Sequence, residues 1–398
     1  MKRIIALFAM VLVTFVVSAC GGSTSIKIGV VLPDASEERW KNQDGRFFEE
    51  ELSKLGKGYE YDILFSGADE AKEKSNVEAL IARGAKVIII TPHGSGAGAV
   101  QVAKEAGVKL IAHDRMAKSS TAAADYYTSF NSWEVGKAQG QHLLDMANKL
   151  GASATNKIDL AIFAGRTADW PNATYFFGGA MEVLRPHFDK FNLINLPDHH
   201  AAFYAIGNYT EATFNDEAKT KLQAAMANVD TDWNPNTAAT KAAAIVAQLG
   251  DADKSNQAVL VLAPNDDTSA AIRQEFAKMS HPYKEYYTTG QDASDVTLAS
   301  LMGDPVKGKG TQTMTVFKDT SKLVKDSVKI AKNIVDGKDG LDGLTTGPAI
   351  DGVPTAYSEI TVLLATDKQK TYDVIFKTGY KKEDNPTFSN IDFSQYKK

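Results

Sequence analysis

Short apolar runs alternate with amphipathic stretches along the chain from residue 26 onward. The apolar runs have strand length and lie at 26–32 (IKIGVVL), 61–66 (YDILFS), 86–90 (KVIII) and 108–112 (VKLIA). Segments with helical spacing separate them, at 36–55, at 70–83 and from about residue 96. Runs that are apolar on both faces are typical of strands in a parallel sheet covered by helices. The pattern therefore predicts an α/β fold with a doubly wound parallel sheet.

The same alternation begins again near residue 126. It predicts strands at 126–130, 158–163, 258–262, 286–290 and 311–316, and helices near 132–149, 173–184, 236–249 and 267–279. Residues 197–233 break the pattern with clustered polar and aromatic side chains, so we expect an insertion at about 197–230. Two halves of one class in 398 residues exceed what one core usually holds. The sequence therefore predicts two lobes.

The N-terminus has the features of an export signal. Lys2 and Arg3 precede an apolar run that is too short to span a membrane comfortably, and the segment VSAC follows at 17–20. This segment matches the lipobox pattern, and Cys20 is the chain's only cysteine. We expect a signal peptide at 1–19, a lipid on Cys20 and a tether over 20–25. The protein is then an exported bacterial lipoprotein on the periplasmic or cell-surface side of the membrane, anchored through that lipid.

Charge narrows the classes of partner. The net charge is −5 at pH 7, and loss of Lys2 and Arg3 with the leader would bring it to −7 (−5 − 2). A nucleic-acid surface needs a basic patch, which this balance does not supply. We therefore expect no nucleic-acid partner.

Polar and aromatic side chains follow the predicted strands. In a doubly wound sheet the ligand crevice lies at the carboxyl ends of the strands, so these side chains converge there. Carboxylates accept several hydrogen bonds while Arg and Asn donate, and an indole offers a flat apolar face. That combination suits a sugar, which has many hydroxyls on an apolar ring. The candidates are Arg39, Trp40, Asp114 and Arg115 in the first half and Asp169, Trp170, Asn172, Trp233, Asn265, Asp292 and Lys318 in the second.

The chain from Ile26 to about residue 380 resembles the class I periplasmic sugar-binding proteins, particularly the members that bind xylose or several sugars. The matching motifs are ERW at 38–40, DRM at 114–116, SFNSWEVGKAQ at 129–139, ND at 265–266, GQDA at 290–293 and GTQTMTVFK at 310–318. The resemblance implies a monomeric receptor of two lobes that are joined by three crossovers and close on an aldopyranose. It also implies delivery of the sugar to an ABC-transporter permease, with no cofactor and no catalysis.

Roles and boundaries also come from the resemblance. It implies sugar-hydroxyl contacts by Arg39, Asp114 and Arg115 from the first lobe and by Asn172, Asn265, Asp292 and Lys318 from the second. Trp40 and Trp233 would stack on the sugar ring. The lobes would comprise 26–131 plus 318–352 and 132–317 plus 353–398. The 166–173 loop carries one extra residue relative to the family pattern, so whether Asp169 or Trp170 reaches the sugar stays open.

Other functions remain open at the level of the sequence. The same lobes would serve a sugar receptor for chemotaxis or a sensor kinase, a nucleoside-binding lipoprotein, or a periplasmic sugar hydrolase or epimerase. Four charged side chains at the strand ends (Asp114, Arg115, Asp292 and Lys318) favour a sugar over a nucleoside. D-xylose is the first candidate, with glucose and galactose open because the 169–172 loop differs.

One segment has the spacing of a calcium loop. The sequence DTDWNPN at 230–236 places oxygen-bearing side chains at every second position. It lacks the central Gly, and position 241 is Lys where a calcium loop carries Glu. Asx turns leading into a helix fit better, and we expect no metal.

Overall fold

The computed structural model describes residues 26–33, 39–303 and 312–397. The expected signal peptide, the whole tether with Cys20, and Glu38 lie outside these ranges. Among the described residues, no helix combines the length and the apolar character that crossing a membrane requires.

The first lobe begins with five strands that alternate with three α-helices. The strands are β1 (Ile26–Leu32), β2 (Tyr59–Phe65), β3 (Ala85–Ile90), β4 (Lys109–His113) and β5 (Tyr126–Phe130), and the helices are α1 (Arg46–Ser53), α2 (Glu70–Ala82) and α3 (Ala97–Glu105). The helix predicted at 36–55 differs from the prediction in its first part, which is not α-helical. Residues Arg39–Gly45 form a π-helix, and the α-helical part ends at Ser53.

The second lobe continues with helices and a second set of strands. These elements are α4 (Ser132–Lys149), β6 (Ile158–Ile162), α5 (Asn172–Leu184), β7 (Phe191–Leu193), α6 (Pro197–Ala205), α7 (Asp216–Val229), α8 (Pro235–Leu249), β8 (Ala258–Leu262), α9 (Asp266–Phe276), β9 (Glu285–Thr288), α10 (Asp295–Met302) and β10 (Met314–Lys318). The predicted strand at 311–316 thus lies at 314–318, and residue 311 is outside the described ranges.

The last part of the chain contributes elements to both lobes. It contains α11 (Thr320–Val335), β11 (Thr355–Ser358), β12 (Ile360–Leu364) and α12 (Lys368–Thr371). The first sheet has the order β11-β5-β4-β3-β1-β2 and is parallel throughout. The second sheet has the order β7-β6-β8-β9, and β10 lies beside β9 through bridges that pair Thr288 with Gln312 and Gln291 with Val316. Strand β12 pairs with β10 in the antiparallel direction.

This topology moves one predicted boundary. Residues 353–398 were expected in the second lobe, yet β11 pairs with β5 in the first sheet, with Thr355 opposite Tyr127. The third crossover therefore falls between Ser358 and Ile360. The other two crossovers run from β5 to α4 and from β10 to α11. All three pass beside the carboxyl ends of β5, β10 and β11, so the hinge between the lobes borders the cleft.

Both faces of each sheet are covered, as the apolar strands predict. In β1, Val31 packs on the side of α2 and α3, whereas Ile28 and Val30 pack with α1 and α11. In β8 the same alternation places Leu260 on the side of α4 and α5 and Val261 on the side of α8 and α9. This period of two is what burial of a strand on both faces requires.

The predicted insertion at about 197–230 divides one edge of the second sheet. Strand β7 covers the first half of β6, and the chain returns at residues 229–231, where Ala164 pairs with Asp230. Between them the side chain of Asn195 accepts from the Ile162 amide at 2.9 Å and donates to the Ile162 carbonyl at 2.8 Å. The side-chain amide of Asn195 therefore takes the place of a neighbouring strand residue. In the insertion, α7 packs against α5, and α6 packs against α7.

Candidate functional site

A cavity of about 580 Å³ lies between the carboxyl ends of the two sheets. Its volume falls in the ordinary range for small-molecule sites, about 300–1,000 Å³. Ten of the eleven predicted ligand-binding residues line it, and Trp170 is the exception. Residues that the sequence reasoning missed also line it, among them Gln43, Ser132, Asp295, Thr320 and Lys381. These lie on helices or after the hinge, where no strand end marks them in the sequence.

Arg39 and Asp114 form the charged centre of the first lobe. Arg39 Nη2 lies 2.9 Å from Asp114 Oδ1, and Arg39 Nε lies 3.2 Å from Asp44 Oδ2. Burial alone would raise the pKa of Asp114, but Arg39, Lys318 and Arg115 outweigh it and hold that pKa well below its usual range. Asp114 therefore accepts hydrogen bonds as a carboxylate at any physiological pH.

Behind this pair is a buried polar chain. Asp44 is fully buried, and its Oδ1 lies 3.0 Å from His113 Nε2. His113 Nδ1 lies 2.8 Å from Ser327 Oγ, which in turn lies 2.7 Å from Thr128 Oγ1. Each member has a partner, so the network fixes Arg39 from below without an unpaired buried charge.

The π-helix explains why Asp44 serves Arg39. A π-helix bonds residue i to i+5, so side chains five apart lie on one side of it. Arg39 and Asp44 are five apart, and their side chains meet. An α-helix would instead align residues three or four apart. The helical spacing read from the sequence therefore did not identify Asp44 as a partner of the site.

Trp40 forms part of the cavity wall, although only 1% of it is exposed. The guanidinium carbon of Arg39 lies 4.4 Å from the centroid of its ring, and that of Arg115 lies 5.1 Å away. Two cations over one indole constitute cation–π contacts. Trp40 thus orients the two guanidinium groups as well as bordering the cavity.

Three of the predicted site residues have left-handed backbone. The φ angles are +62° at Asp114, +56° at Trp233 and +91° at Asp292. Residues with a Cβ avoid this region, and such outliers cluster at ligand sites. Asp tolerates it better than most residues because its short side chain bonds locally. The turn after each strand therefore directs these side chains into the cavity.

Asp292 and Lys318 form the ion pair of the second lobe. Lys318 Nζ lies 2.7 Å from Asp292 Oδ1, and 43% of the Asp292 side chain is exposed. Among the described residues, no buried carboxylate is ion-paired with Lys318 as Asp44 is with Arg39. The predicted contacts from the two lobes thus lie in different electrostatic settings.

Asp169, Trp233 and Asn265 form the wall of the second lobe. Trp233 Nε1 donates to Asp169 Oδ2 at 3.0 Å, and burial raises the pKa of Asp169. Asn265 caps α9 by accepting from the Thr268 amide, while its Nδ2 donates to the Trp233 carbonyl at 3.3 Å. A Cβ on Gly165 would lie 2.4 Å from the Trp233 ring, so only glycine lets the indole approach this closely.

Asn172 bridges the lobes. Its Nδ2 donates to the Asp114 carbonyl at 2.9 Å, and its Oδ1 accepts from the hydroxyl of Tyr127 at 3.2 Å. The hydroxyls of Ser129 and Ser132 each lie 3.4 Å from the same Oδ1. The amide that the resemblance assigns to a sugar hydroxyl is therefore engaged with protein groups across the cleft.

Beneath the second lobe lies another buried carboxylate, Asp266. It accepts from Gln312 Nε2 at 2.6 Å, from Thr315 Oγ1 at 2.8 Å and from the Ser294 amide at 2.8 Å. Burial raises its pKa to about 8, against these neutral donors. Its side chain holds the turn that carries Asp292, so it positions the cavity wall from outside the cavity.

The 230–236 segment forms turns with protein donors. Asp230 Oδ2 accepts from the Thr167 amide at 2.7 Å, and Asp230 Oδ1 accepts from the Asp232 amide at 2.7 Å. Arg166 Nε pairs with Asp232 Oδ1 at 3.3 Å. Within the described ranges no group of three or more metal-ligating side chains occurs, here or elsewhere.

Comparison with known proteins fits this geometry. The sequence matches the family described as periplasmic binding protein domain over residues 28–339. The chain belongs to this family. The match confirms the resemblance drawn from the sequence motifs and, with the observed sheets, the predicted two-lobed class I fold.

Individual relatives of this periplasmic binding protein cover nearly its whole length. It is 28% identical over 365 residues to the multiple sugar-binding periplasmic receptor ChvE of Rhizobium radiobacter, covering 90% of this chain and 91% of the relative. It is 26% identical over 360 residues to the D-xylose-binding periplasmic protein of Escherichia coli, covering 90% and 92%.

A solved structure is more similar still. The carbohydrate transporter solute binding protein from Chloroflexus aurantiacus, in complex with D-glucose, is 33% identical, with a TM-score of 0.74 over 92% of this chain and 99% of that one.

Proposed function

We propose that this periplasmic binding protein captures an aldopyranose between its lobes and delivers it to the permease of an ABC importer. The observation that carries the proposal is the cavity between the two sheets, which is lined by charged groups of both signs and by two indoles. A pyranose presents hydroxyls that donate and accept, together with C–H faces that pack on indoles. The chemistry of the lining is complementary to both features.

Binding would act through closure of the cleft. Arg39, Asp114 and Arg115 contact the sugar from one lobe, and Asn265, Asp292 and Lys318 contact it from the other. A ligand that satisfies both sets at once stabilises the closed arrangement over the open one. Each charge-assisted hydrogen bond contributes about 1.5–3 kcal/mol net, so a few of them support micromolar or tighter binding.

D-glucose and D-xylose are the two sugars to distinguish. The sequence motifs place xylose first, and the xylose-binding relative of Escherichia coli supports it. The glucose-bound structure from Chloroflexus aurantiacus, at 33% identity, supports glucose more strongly. We therefore propose glucose as the first ligand and xylose as the second.

Isothermal titration and thermal shift test this proposal. The full chain carrying Cys20→Ser, which cannot accept a lipid, is measured with glucose, xylose, galactose, arabinose, ribose and adenosine. A ligand that binds only the folded state raises the melting temperature by mass action. We expect a shift with one or two aldoses and none with adenosine.

Three outcomes would contradict the proposal. The absence of a shift with every sugar would mean that the cavity takes another solute. A shift with adenosine alone would favour the nucleoside-binding lipoprotein. Chemical turnover of a bound sugar, followed by chromatography, would establish a hydrolase or an epimerase instead.

The membrane anchor and the permease partner need their own experiments. We propose that Cys20 carries lipid, and mass spectrometry of the mature N-terminus compared with Cys20→Ser checks this. Delivery is checked by comparing sugar uptake in cells with and without the protein. Cells that have the protein but lack the matching permease are the second comparison. Chemotaxis toward the sugar in the same cells would reveal a sensor as a second partner.

A further inference from the structure

Trp170 contacts the opposite lobe outside the cavity. Its Nε1 donates to Asp351 Oδ2 at 2.8 Å, and Asp351 is also ion-paired with Lys118. Asp351 and Lys118 both belong to the first lobe, where Ile350 and Val353 fix the Asp351 turn in the core. The contact therefore joins a loop of the second lobe to a turn of the first.

The insertion holds the other side of the same indole. The Phe214 ring is stacked on Trp170 with centroids 6.0 Å apart, and Lys219 Nζ lies 3.5 Å from the centroid of the indole. Tyr175 meets Trp170 edge-on at 5.4 Å. Phe214 and Lys219 belong to the 197–230 segment, which the parallel-sheet topology does not require.

Charges across this contact are complementary. Burial would raise the pKa of Asp351, but Lys118, the Trp170 hydrogen bond and Lys219 together lower it. Asp351 therefore remains a carboxylate that faces cations from both lobes. Nearby, Asn131 Nδ2 at the first crossover donates to Glu211 Oε1 of the insertion at 3.3 Å.

We propose that Trp170, Asp351, Lys118, Phe214 and Lys219 form a closure latch, which sets sugar affinity by stabilising the closed lobes without touching the sugar. The latch gives the insertion a role, because Phe214 and Lys219 hold the Trp170 indole in the orientation that reaches Asp351. The statement about affinity rests on the proposed function, whereas the statement about lobe closure does not. In this proposal Trp170 is a positioning residue, and Asp169 alone of the two is available to the ligand.

Two mild variants test the latch. Trp170→Phe keeps an aromatic ring but removes the Nε1 donor. Asp351→Asn keeps an acceptor but removes the charge, and Asn tolerates the φ of +50° found at this position. With D-glucose and D-xylose as probes, we expect each variant to raise the dissociation rate and Kd about fivefold, the net effect of one hydrogen bond in a solvent-exposed setting.

A distance measurement reads closure without any sugar. In the full chain with Cys20→Ser, Lys104→Cys and Gln248→Cys place one spin label on an exposed position of each lobe. These are then the only cysteines, because Cys20 is the only natural one. We expect both latch variants to shift the sugar-free distance distribution toward longer distances, and saturating sugar to restore the short distance.

Asp342→Asn and Lys221→Gln are matched controls. Asp342 lies near Asp351 in sequence but is exposed, and Lys221 lies on α7 near Lys219 but is ion-paired with Glu217 on the same helix. Both should leave Kd and the distances unchanged. The latch is wrong if Trp170→Phe and Asp351→Asn behave like these controls. If the unmodified chain binds none of the sugars in the thermal-shift panel, the proposed function fails while the sugar-free distances still decide the latch.

Discussion

Each lobe presents one ion pair to the same cavity, but the two pairs lie in different surroundings. In the first, Arg39 and Asp114 rest on the buried Asp44, and every member of the chain behind them has a partner. In the second, Asp292 and Lys318 pair at the surface of a turn, with nearly half of the Asp292 side chain exposed. The contrast lies in the two carboxylates: 9% of the Asp114 side chain is exposed, against 43% of that of Asp292.

This difference between the two ion pairs indicates which lobe contributes more to sugar affinity. A preorganised charge loses little entropy and little hydration when a ligand arrives, whereas a solvated pair must give up water and freedom first. We therefore expect the first lobe to contribute most of the affinity. We expect the second lobe, whose carboxylate Asp292 is 43% exposed, to contribute less.

The largest effect should come from Asp114→Asn. The change removes the charge that faces Arg39, Arg115 and Lys318, and Asn tolerates the positive φ at this position. We expect sugar affinity to fall about 100-fold, which corresponds to about 3 kcal/mol. Isothermal titration with the sugar identified by thermal shift measures it. Exposed Asp216→Asn should bind normally, and equal affinity for Asp114→Asn would refute the role of the fixed centre.

A smaller effect is expected for Asp292→Asn. This substitution removes the same charge in the second lobe, also at a positive φ, and so matches the first variant in chemistry. Because the Asp292 carboxylate is far more exposed than that of Asp114, we expect a loss of only about tenfold, or about 1.4 kcal/mol. The same titration measures it. A loss as large as that of Asp114→Asn would mean that both lobes bind with fixed charges, and the contrast would fail.

The smallest effect on affinity, with a distinct effect on stability, is expected for Asp266→Asn. Asp266 has a folded-state pKa of about 8, above the value of about 3.9 for an exposed Asp. Its contribution to stability is therefore fully present below pH ~4 and is lost as the pH rises through about 8. Each pKa unit corresponds to about 1.4 kcal/mol. In the Asp266→Asn variant, the free energy of unfolding should therefore lack a pH dependence of up to a few kcal/mol.

Denaturant unfolding at pH 5 and pH 8.5 measures this dependence. The free energy of unfolding of the unmodified chain should fall relative to that of Asp266→Asn between the two values. Exposed Asp145→Asn should follow the unmodified chain. Equal slopes for Asp266→Asn and the unmodified chain would show that its neutral donors already hold the carboxylate charged, as the cations hold Asp114.

The strands of both sheets were predictable because burial on two faces leaves uninterrupted apolar runs. Strands at 126–130 and 258–262 have the predicted bounds, as does the helix at 132–149. Strand β7, with three residues and one exposed side chain, carries no such run. The helices of the insertion, α6 and α7, were read only as a break in the pattern, because their apolar side chains follow no period that a sheet imposes.

The sequence by itself determined the two-lobed α/β class and which side chains gather at the strand ends, because a parallel sheet brings every carboxyl end to one edge. Tertiary structure alone decided their roles. Asp44 supports Arg39 because a π-helix aligns residues five apart, and Asn172 spans the cleft because the fold brings the start of α5 beside Asp114 and β5. Trp170 lies outside the cavity because a distant insertion and a turn of the other lobe hold it there. Such contacts depend on packing between segments far apart in the chain, which no local pattern encodes.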